Sequence, residues 1–401
     1  MRTFDGLICF GGADWWYHNR GHYDIQMARR FRDHGPVLYV NSIGVRLPSL
    51  GEGGMFFRRV GRKLRSWSRG FRRVDDRFGV VSPISIPGRV GRAVSGHVLP
   101  RQVKWSAGRM GITRPLVWVE CPTAAPLLDD IDNVGLVYQR TDRYETFPGV
   151  DRAYIEACDR RLKEAADVTL FCSTYLYETE REACRAARFV DHGVDYDRFA
   201  ERGVTPHEPA DMRDLPRPRV GFVGGIDSHT FDPELFVAVV EARPEATFVL
   251  VGGSSLPVGW CTAPNVVMLG RKPYEDVADY MAACDVLIMP WNRNEWIRAC
   301  NPVKLKEYLA VGRPVVSTPF EELRRYETHV RVAEDAAGFA EAVREALETP
   351  GDSAPRRERV RRETWAAKAD AVVAYLAEAG LEPASPTPAD PALATARGHG
   401  Q

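Results

Sequence analysis

The sequence predicts an α/β protein built from two units, each a parallel β-sheet covered by helices on both faces. Short runs rich in β-branched apolar residues alternate with longer segments of helical periodicity along most of the 401 residues. Strands that are apolar throughout, rather than on alternate residues, are typical of parallel sheets buried on both faces. The alternation stops once, in a segment rich in proline and charge, and then begins again, which indicates two units.

The first unit is expected over residues 1–200. Its predicted strands are the apolar runs Leu7–Phe10, Val37–Val40, Val80–Ile84, Leu116–Glu120, Gly135–Tyr138 and Val168–Cys172. The helices predicted between them include Ile25–His34, Arg152–Ala166 and Tyr175–Ala186. Polar residues that follow such strands are candidates for function, because ligands of open α/β sheets bind at the carboxyl ends of the strands.

The second unit is expected over residues 219–350, after a linker at 201–218 that holds four prolines. Its predicted strands are Val220–Val223, Thr247–Val251, Val266–Leu269, Val286–Met289 and Pro314–Ser317. Residues 351–381, with the charged stretch Arg356–Ala379, predict a helical segment that packs back across the domains. Residues 382–401 are rich in proline, alanine and serine, a composition typical of a disordered tail.

Composition narrows the classes of function. Lys plus Arg and Asp plus Glu each number 54, so no net charge attracts nucleic acid, and no nucleic-acid partner is expected. The eight cysteines never form a Cys-x-x-Cys pair, which predicts neither a zinc site nor a disulfide framework and favours a reducing cytoplasm. With no signal peptide and no apolar run of 18 residues, we expect a soluble protein, at most peripheral to the inner face of the cell membrane.

The segment from Asn301 to Gly312 predicts a helix with chemistry at its first turn. Asn301 is a favourable N-cap, Pro302 suits the first helical position, and Gly312 suits the position after the last turn. Lys304 and Glu307 are three residues apart and share a face. A helix start with a lysine favours a diphosphate, and a carboxylate one turn later can accept both hydroxyls of a ribose.

An ordinary amphipathic helix with a solvated Lys–Glu pair would show the same pattern. Two features favour a binding site instead. The predicted strand Val286–Met289 and the Trp291 loop precede this helix, and the buried strand Pro314–Ser317 follows it. The helix is therefore expected at a carboxyl edge of the sheet, where ligands bind.

Three stretches around this helix carry a family resemblance. They are residues 284–290 (CDVLIMP), 301–310 (NPVKLKEYLA) and 312–316 (GRPVV). Together they resemble the donor-site signature of GT-B glycosyltransferases and are most similar to the family 4-like enzymes of bacterial polysaccharide assembly, including the teichuronic acid type. Residues 191–199 (DHGVDYDRF) are similar to the family's hinge stretch. The resemblance implies the GT-B fold, in which two Rossmann-like domains flank a donor/acceptor cleft.

The resemblance implies that the C-terminal domain binds a nucleotide-sugar donor as substrate, with no metal or other cofactor. Glu307 would bind the donor ribose, and Lys304 would bind the diphosphate or the sugar. The helix start at Asn301, Pro302 and Val303 completes the predicted donor site.

The sequence departs from the family pattern in two places. Many relatives carry a glutamate where this chain has Ala299, and an arginine and a lysine in the loop that here begins Gly224-Gly225. The second departure implies that Lys304, Arg298 or Arg293 neutralises the phosphates.

Two loops of the second unit are further donor-site candidates. Gly224 and Gly225 follow a predicted strand, where glycine lets backbone N–H groups approach a phosphate, although any tight turn also favours glycine. Arg271 and Lys272 follow the strand Val266–Leu269. By resemblance this loop contacts the base, largely through its backbone, and the base favoured is uracil because the most similar enzymes commonly use UDP-sugars.

A catalytic base is expected where a strand of the first unit ends at the cleft. Asp142 follows such a strand, and His22 and Asp14 follow the first strand of the chain. Each could equally form a helix cap or a structural hydrogen bond. Family 4-like enzymes retain anomeric configuration and need no strong side-chain base. Asp130 and Asp132 form a D-x-D, but they lie in a polar turn and are expected to be solvated.

Residues 56–74 hold eight basic and several aromatic or apolar residues without an acidic one. This pattern suits a segment that lies on an anionic membrane surface, and equally a solvated loop or a clamp for an anionic acceptor.

The function predicted from these features is glycosyl transfer, of the hexosyltransferase class. A sugar would move from a nucleotide diphosphate donor, with UDP favoured, to a saccharide or lipid-linked acceptor. The alternatives are a GT-B sugar-nucleotide epimerase or hydrolase, and a non-catalytic GT-B scaffold that binds nucleotide or membrane.

Overall fold

The structure is a computed structural model that describes residues 1–17, 21–44, 54–85 and 88–384, except the side chains of 54–59 and 88–94. Within these residues the strands form three sheets. The smallest joins β1 (Arg2–Phe4), in parallel, to the last strand described, Leu381–Pro383.

The N-terminal domain is built on a sheet of eight strands. They are β2 (Gly6–Phe10), β3 (Val37–Val40), β4 (Phe71–Asp75), β5 (Phe78–Val81), β6 (Pro115–Val119), β7 (Gly135–Arg140), β8 (Val168–Phe171) and β9 (Ala187–Phe189). Their order is β4-β5-β3-β2-β6-β7-β8-β9, parallel except that β4 runs antiparallel to β5. The helices that cover it are α1 (Tyr23–Arg30), α2 (Gly54–Arg69), α3 (Gly88–Arg109), α4 (Arg152–Ala165) and α5 (Thr174–Glu180). The next helix, α6 (Tyr196–Val204), packs instead in the core of the C-terminal domain, where Phe199 is buried.

The C-terminal domain is built on a parallel sheet of six strands in the order β12-β11-β10-β13-β14-β15. The strands are β10 (Arg219–Val223), β11 (Thr247–Val251), β12 (Val266–Gly270), β13 (Val286–Met289), β14 (Val315–Ser317) and β15 (Arg331–Val332). The helices of this half are α7 (Pro233–Ala242), α8 (Val277–Ala282), α9 (Glu295–Ala299), α10 (Val303–Val311), α11 (Ala336–Glu348), α12 (Ala354–Val360) and α13 (Trp365–Glu378), before β16 (Leu381–Pro383).

The order of the strands places the Gly11-Gly12 loop and the Gly224-Gly225 loop at equivalent points of the two large sheets. β2 lies between β3 and β6, and β10 lies between β11 and β13, so the strand order reverses at each of them. Crevices form at such reversals, at the carboxyl ends of the strands. The Gly11-Gly12 loop after β2 and the Gly224-Gly225 loop after β10 therefore lie where a ligand can bind.

The predicted fold class is confirmed, with local corrections. The charged stretch Arg356–Ala379 is two helices rather than one, because Thr364 caps α13 by accepting a hydrogen bond from the Ala367 amide at 3.2 Å. The helix predicted to reach Ala186 ends as an α-helix at Glu180. The predicted disordered tail begins too early, because Leu381–Pro383 pairs with β1; its remainder, 385–401, lies outside the described residues.

The end of the chain returns to the N-terminal domain. The side chains of Trp365, Val372, Leu376 and Leu381 are buried in the same hydrophobic core as Phe4. The segment after the C-terminal sheet thus completes the core of the first domain. Among the described residues, every helix is too short or too polar to span a membrane.

Candidate functional site

A cavity of about 780 Å³ lies between the carboxyl edges of the two large sheets, and residues of both domains line it. We refer to it as the cleft. The C-terminal domain contributes the Gly224 loop, the Arg271 loop and the start of α10. The N-terminal domain contributes residues that follow β2, β6 and β7, among them His22, Glu120 and Asp142.

Lys304 projects from the first turn of α10 against the glycine loop. A Cβ atom added at Gly224 would lie 2.1 Å from Lys304 Nζ, so the loop and the lysine can pack this closely only with glycine at 224. The ammonium lies over the rings of Phe222 and Trp291, at 4.5 and 5.3 Å from their centroids. Burial lowers the pKa of Lys304 to about 8. A partly desolvated cation of this kind interacts strongly with an incoming anion.

Glu307 lies one turn after Lys304 and is buried in the cleft wall. Its Oε1 accepts a hydrogen bond from the Tyr274 hydroxyl at 3.3 Å. Burial raises the pKa of Glu307 to about 7, although Tyr274 and Lys304 both act in the opposite direction. A ligand that donates hydrogen bonds to this carboxylate would stabilise its charged form.

The start of α10 differs from the prediction by one residue. The N-cap is Pro302, and the first helical residue is Val303; both line the cleft. Asn301 is therefore not the N-cap. Its buried side chain instead donates a hydrogen bond from Nδ2 to the Cys172 carbonyl of the N-terminal domain at 2.6 Å. The predicted helix end is confirmed, because Gly312 adopts the left-handed conformation with φ 84°.

The predicted cations around the cleft differ in their surroundings. Arg271 lines the cleft, as does Lys272, whose ammonium already pairs with Asp211 at 2.5 Å. Arg298 does not line the cleft, so its predicted contact with the donor is not supported. Its guanidinium lies over the Tyr175 ring and 3.5 Å from Glu321, at a separate cavity that Arg293 also lines.

Of the three candidates for catalysis, Asp142 and His22 line the cleft and Asp14 does not. Asp142 lines the cleft, its Oδ1 accepts a hydrogen bond from Cys300 Sγ at 3.5 Å, and burial raises its pKa to about 6. His22 is an exposed lining residue directly before α1. Asp14 does not line the cleft. Its carboxylate accepts hydrogen bonds from the Trp16 amide and the Ser66 hydroxyl, which makes it a structural residue.

Sequence reasoning missed Glu120, which follows β6 and is buried at the cleft. Thr141 and Tyr144 donate hydrogen bonds to its Oε1 at 3.1 and 3.4 Å. The rule that selected Asp142, a polar residue at the end of a strand of the first domain, also selects Glu120. It was overlooked because it was counted as the last residue of the strand Leu116–Glu120.

The basic stretch 56–74 forms α2 and then β4, and the side chains before Val60 lie outside those described. Part of its charge faces the domain itself: Lys63 donates to the Ser42 carbonyl, and Arg69 lies over the Trp16 ring at 4.6 Å. Arg65 and Arg72 are exposed. Asp132, of the D-x-D, is also exposed, 3.4 Å from Lys104.

The C-terminal domain matches known glycosyltransferases in sequence. Residues 217–349 match the protein family described as glycosyl transferases group 1. Over 176 residues the chain is 29% identical to TuaH of Bacillus subtilis (strain 168), named as a teichuronic acid biosynthesis glycosyltransferase. That match covers 42% of this chain and 44% of TuaH, which is less than half of the relative's length.

Solved structures match the whole described architecture. Sucrose-phosphate synthase from Thermosynechococcus elongatus is 16% identical to this chain. The superposition has a TM-score of 0.67 and covers 93% of this chain and 98% of the synthase. HepE of Anabaena, solved in complex with UDP-glucose, is 14% identical, with a TM-score of 0.66 over 94% of this chain and 100% of HepE. At identities this low, the structural matches show the fold alone. The protein therefore has the GT-B fold, and its residues 217–349 are related in sequence to the group 1 glycosyltransferases.

Proposed function

We propose that the protein is a glycosyltransferase of the hexosyltransferase class, which moves a sugar from a UDP-linked donor to a saccharide or lipid-linked acceptor. The observation that carries this proposal is the position of Lys304 and Glu307. They lie one turn apart at the start of α10, against the Gly224 loop, in a cleft lined by both domains.

The donor is expected to bind with its diphosphate at the start of α10. Lys304 and Arg271 bring positive charge to the cleft, and the first amides of α10 and the Gly225 amide supply N–H donors. The Gly224 amide already donates to the Val251 carbonyl at 2.8 Å. Glu307 then accepts the two ribose hydroxyls. HepE, which shares this fold, was solved with UDP-glucose, and this supports UDP as the nucleotide to test first.

In the proposed reaction an acceptor hydroxyl oxygen bonds to C1 of the sugar while the bond from C1 to the β-phosphate oxygen breaks. For a transfer with retention, the departing oxygen lies on the same face as the acceptor and takes the hydroxyl proton. Lys304, Arg271 and the helix amides stabilise the charge that develops on the diphosphate. Asp142, on the N-terminal side of the cleft, accepts a hydrogen bond from a second hydroxyl of the acceptor and so orients the reacting one.

The acceptor is proposed to bind on the N-terminal side, close to the basic stretch. Tyr17 lines the cleft, and the guanidinium groups of Arg62 and Arg69 lie 6.0 and 5.6 Å from the centre of its ring. Exposed Leu64 and Arg65 follow on the same helix. An anionic lipid surface at this stretch would bring a lipid-linked acceptor to the cleft mouth.

Thermal unfolding with UDP, GDP, dTDP, ADP and NAD tests the donor site. A ligand at 100 times its dissociation constant adds about 2.7 kcal/mol, which corresponds to a rise of a few degrees. We expect the rise with UDP. UDP-sugars and acceptors are then assayed for release of UDP. No rise with any nucleotide would contradict the donor site; UDP binding with turnover that needs no acceptor would favour a hydrolase or epimerase.

A further inference from the structure

The wall that the N-terminal domain contributes to the cleft holds three buried polar atoms with no hydrogen-bond partner among the described residues. They are Tyr23 Oη, Glu120 Oε2 and His192 Nδ1. All three residues line the cleft, with exposed fractions of 3%, 7% and 8%. Buried polar atoms without partners are rare, and each is unfavourable by about 1–3 kcal/mol. Their concentration in one cavity indicates that a polar ligand completes them.

These side chains come from three separate segments. Tyr23 is the first residue of α1, Glu120 follows β6, and His192 follows β9. The rings of Tyr23 and His192 pack edge to face with centroids 5.2 Å apart. Glu120 directs Oε1 to Thr141 and Tyr144, which leaves Oε2 for a ligand. The fold thus brings the three atoms to one wall.

Burial opposes the charged form of each of the three groups. Burial raises the pKa of Glu120 well above its ordinary value, and the nearby carboxylates of Asp24 and Asp142 add to the shift. Burial also lowers the pKa of His192 to about 3, and Lys306 and His22 act in the same direction against Asp191. Burial raises the pKa of Tyr23, with Cys172, Glu120 and Asp191 contributing. The subsite therefore offers the Tyr23 hydroxyl, the Glu120 carboxyl group and a neutral imidazole.

We propose that Tyr23, Glu120 and His192 form a subsite for an uncharged, hydroxyl-bearing sugar ring, to which their three unpartnered polar atoms make hydrogen bonds. Sugar hydroxyls both donate and accept, so they suit a wall of this mixed character. A phosphate or carboxylate would lie near the carboxyl group of Asp142, which lines the same cavity, so we expect the subsite to discriminate against phosphorylated sugars and uronates. The inference rests on the proposed function, because it names the class of sugar that the cleft holds.

Binding measurements on four proteins test the subsite: wild type, Glu120→Gln, Glu120→Ala and Tyr23→Phe. Calorimetry gives dissociation constants for UDP, UDP-glucose and UDP-glucuronate, and saturation-transfer NMR detects glucose with and without UDP. The donor arm reports the transferred sugar, and the glucose arm reports an acceptor sugar. Glu120→Gln keeps a hydrogen-bonding group of nearly the same shape at this position, so it is the matched control for Glu120→Ala.

In one or both arms we expect Glu120→Ala and Tyr23→Phe to weaken binding of the neutral sugar by about 5- to 10-fold. Glu120→Gln stays within about 3-fold of wild type, and UDP-glucuronate binds no more tightly than UDP. Equal sugar binding by all four proteins would overturn the subsite. A loss in Glu120→Gln as large as in Glu120→Ala would contradict a hydrogen bond that either a carboxyl or an amide group can make. Failure of UDP to bind wild type would count against the donor site alone, because the glucose arm is also read without nucleotide.

Discussion

Gly224 and Lys304 pack so closely that a Cβ at 224 would lie 2.1 Å from the lysine Nζ. Gly224 also has φ 156°, outside the range that side chains readily adopt. Gly224→Ala must therefore displace the ammonium, and we expect UDP affinity to fall by about 10-fold. Gly225→Ala is the matched control, because its Cβ would meet only Asp227 Oδ2, at 3.7 Å. Calorimetric titration with UDP measures both. Equal losses in the two variants would show that the Lys304 contact is not the cause.

The pH dependence of donor binding follows from Glu307 and Lys304. Charged Glu307 accepts the ribose hydroxyls, so affinity should rise as pH increases through its pKa of about 7. Charged Lys304 holds the diphosphate, so affinity should fall above its pKa of about 8. We expect UDP-glucose affinity to be highest between these values. UDP-glucose is preferred to UDP because its diphosphate is doubly esterified and does not titrate in this range.

Glu307→Gln provides the control for the acid side of that profile. The variant should bind UDP-glucose more weakly by about 1–3 kcal/mol at neutral pH and lose the rise through pH 7. The same raised pKa has the opposite effect on the stability of the protein without ligand. Protonated Glu307 stabilises the fold fully below pH 4.5, and this contribution is lost as pH rises through about 7. A profile that is unchanged by Glu307→Gln would remove Glu307 from the donor site.

Arg271 and Arg298 lie at different cavities, so substituting each in turn tests which cavity binds the donor. Arg271 lines the cleft, whereas Arg298 lies over the Tyr175 ring at the other cavity. Arg271→Ala should weaken UDP binding by about 10-fold, the loss of a charged hydrogen bond, and Arg298→Ala should leave it unchanged. Titration with UDP in low and high salt measures both. The reverse ranking would return Arg298 to the donor site and contradict the geometry of the cleft.

A buried ionic cluster links the start of the hinge stretch to α10. Lys306 is 1% exposed on its side chain and lies 2.9 Å from Asp191 and 3.2 Å from Glu363. Removing one partner of a buried pair costs about 3–5 kcal/mol, so Lys306→Met should lower the unfolding temperature by several degrees. Lys368→Met is the control, because Lys368 contacts the same carboxylates from a side chain that is 17% exposed. A larger loss in Lys368→Met would contradict this assignment.

The fold and the donor side of the cleft were predictable because their signals are local. Val37–Val40, Thr247–Val251 and Val286–Met289 are strands with the predicted limits, since buried parallel strands are apolar throughout. Lys304 and Glu307 came from the spacing within one helix.

Features that depend on packing between distant segments were not predictable in the same way. Asn301 looks like an N-cap until the Cys172 carbonyl, from the other domain, is seen to accept its amide. Asp14 looks like a candidate base until Ser66, 52 residues later, is seen to donate to it. His192 follows β9 and Tyr23 begins the helix after β2, and their rings meet beyond the carboxyl ends of these strands.

The return of α13 and β16 to the first domain bears on the order in which the protein can fold during synthesis. Domains generally fold as units, the N-terminal one first, as the chain leaves the ribosome. Here Trp365, Leu376 and Leu381 belong to the N-terminal core, and β1 lacks its neighbour until Leu381–Pro383 has been made. The nascent N-terminal domain therefore cannot complete its core until the whole C-terminal domain has been translated, and part of its apolar surface stays uncovered until then.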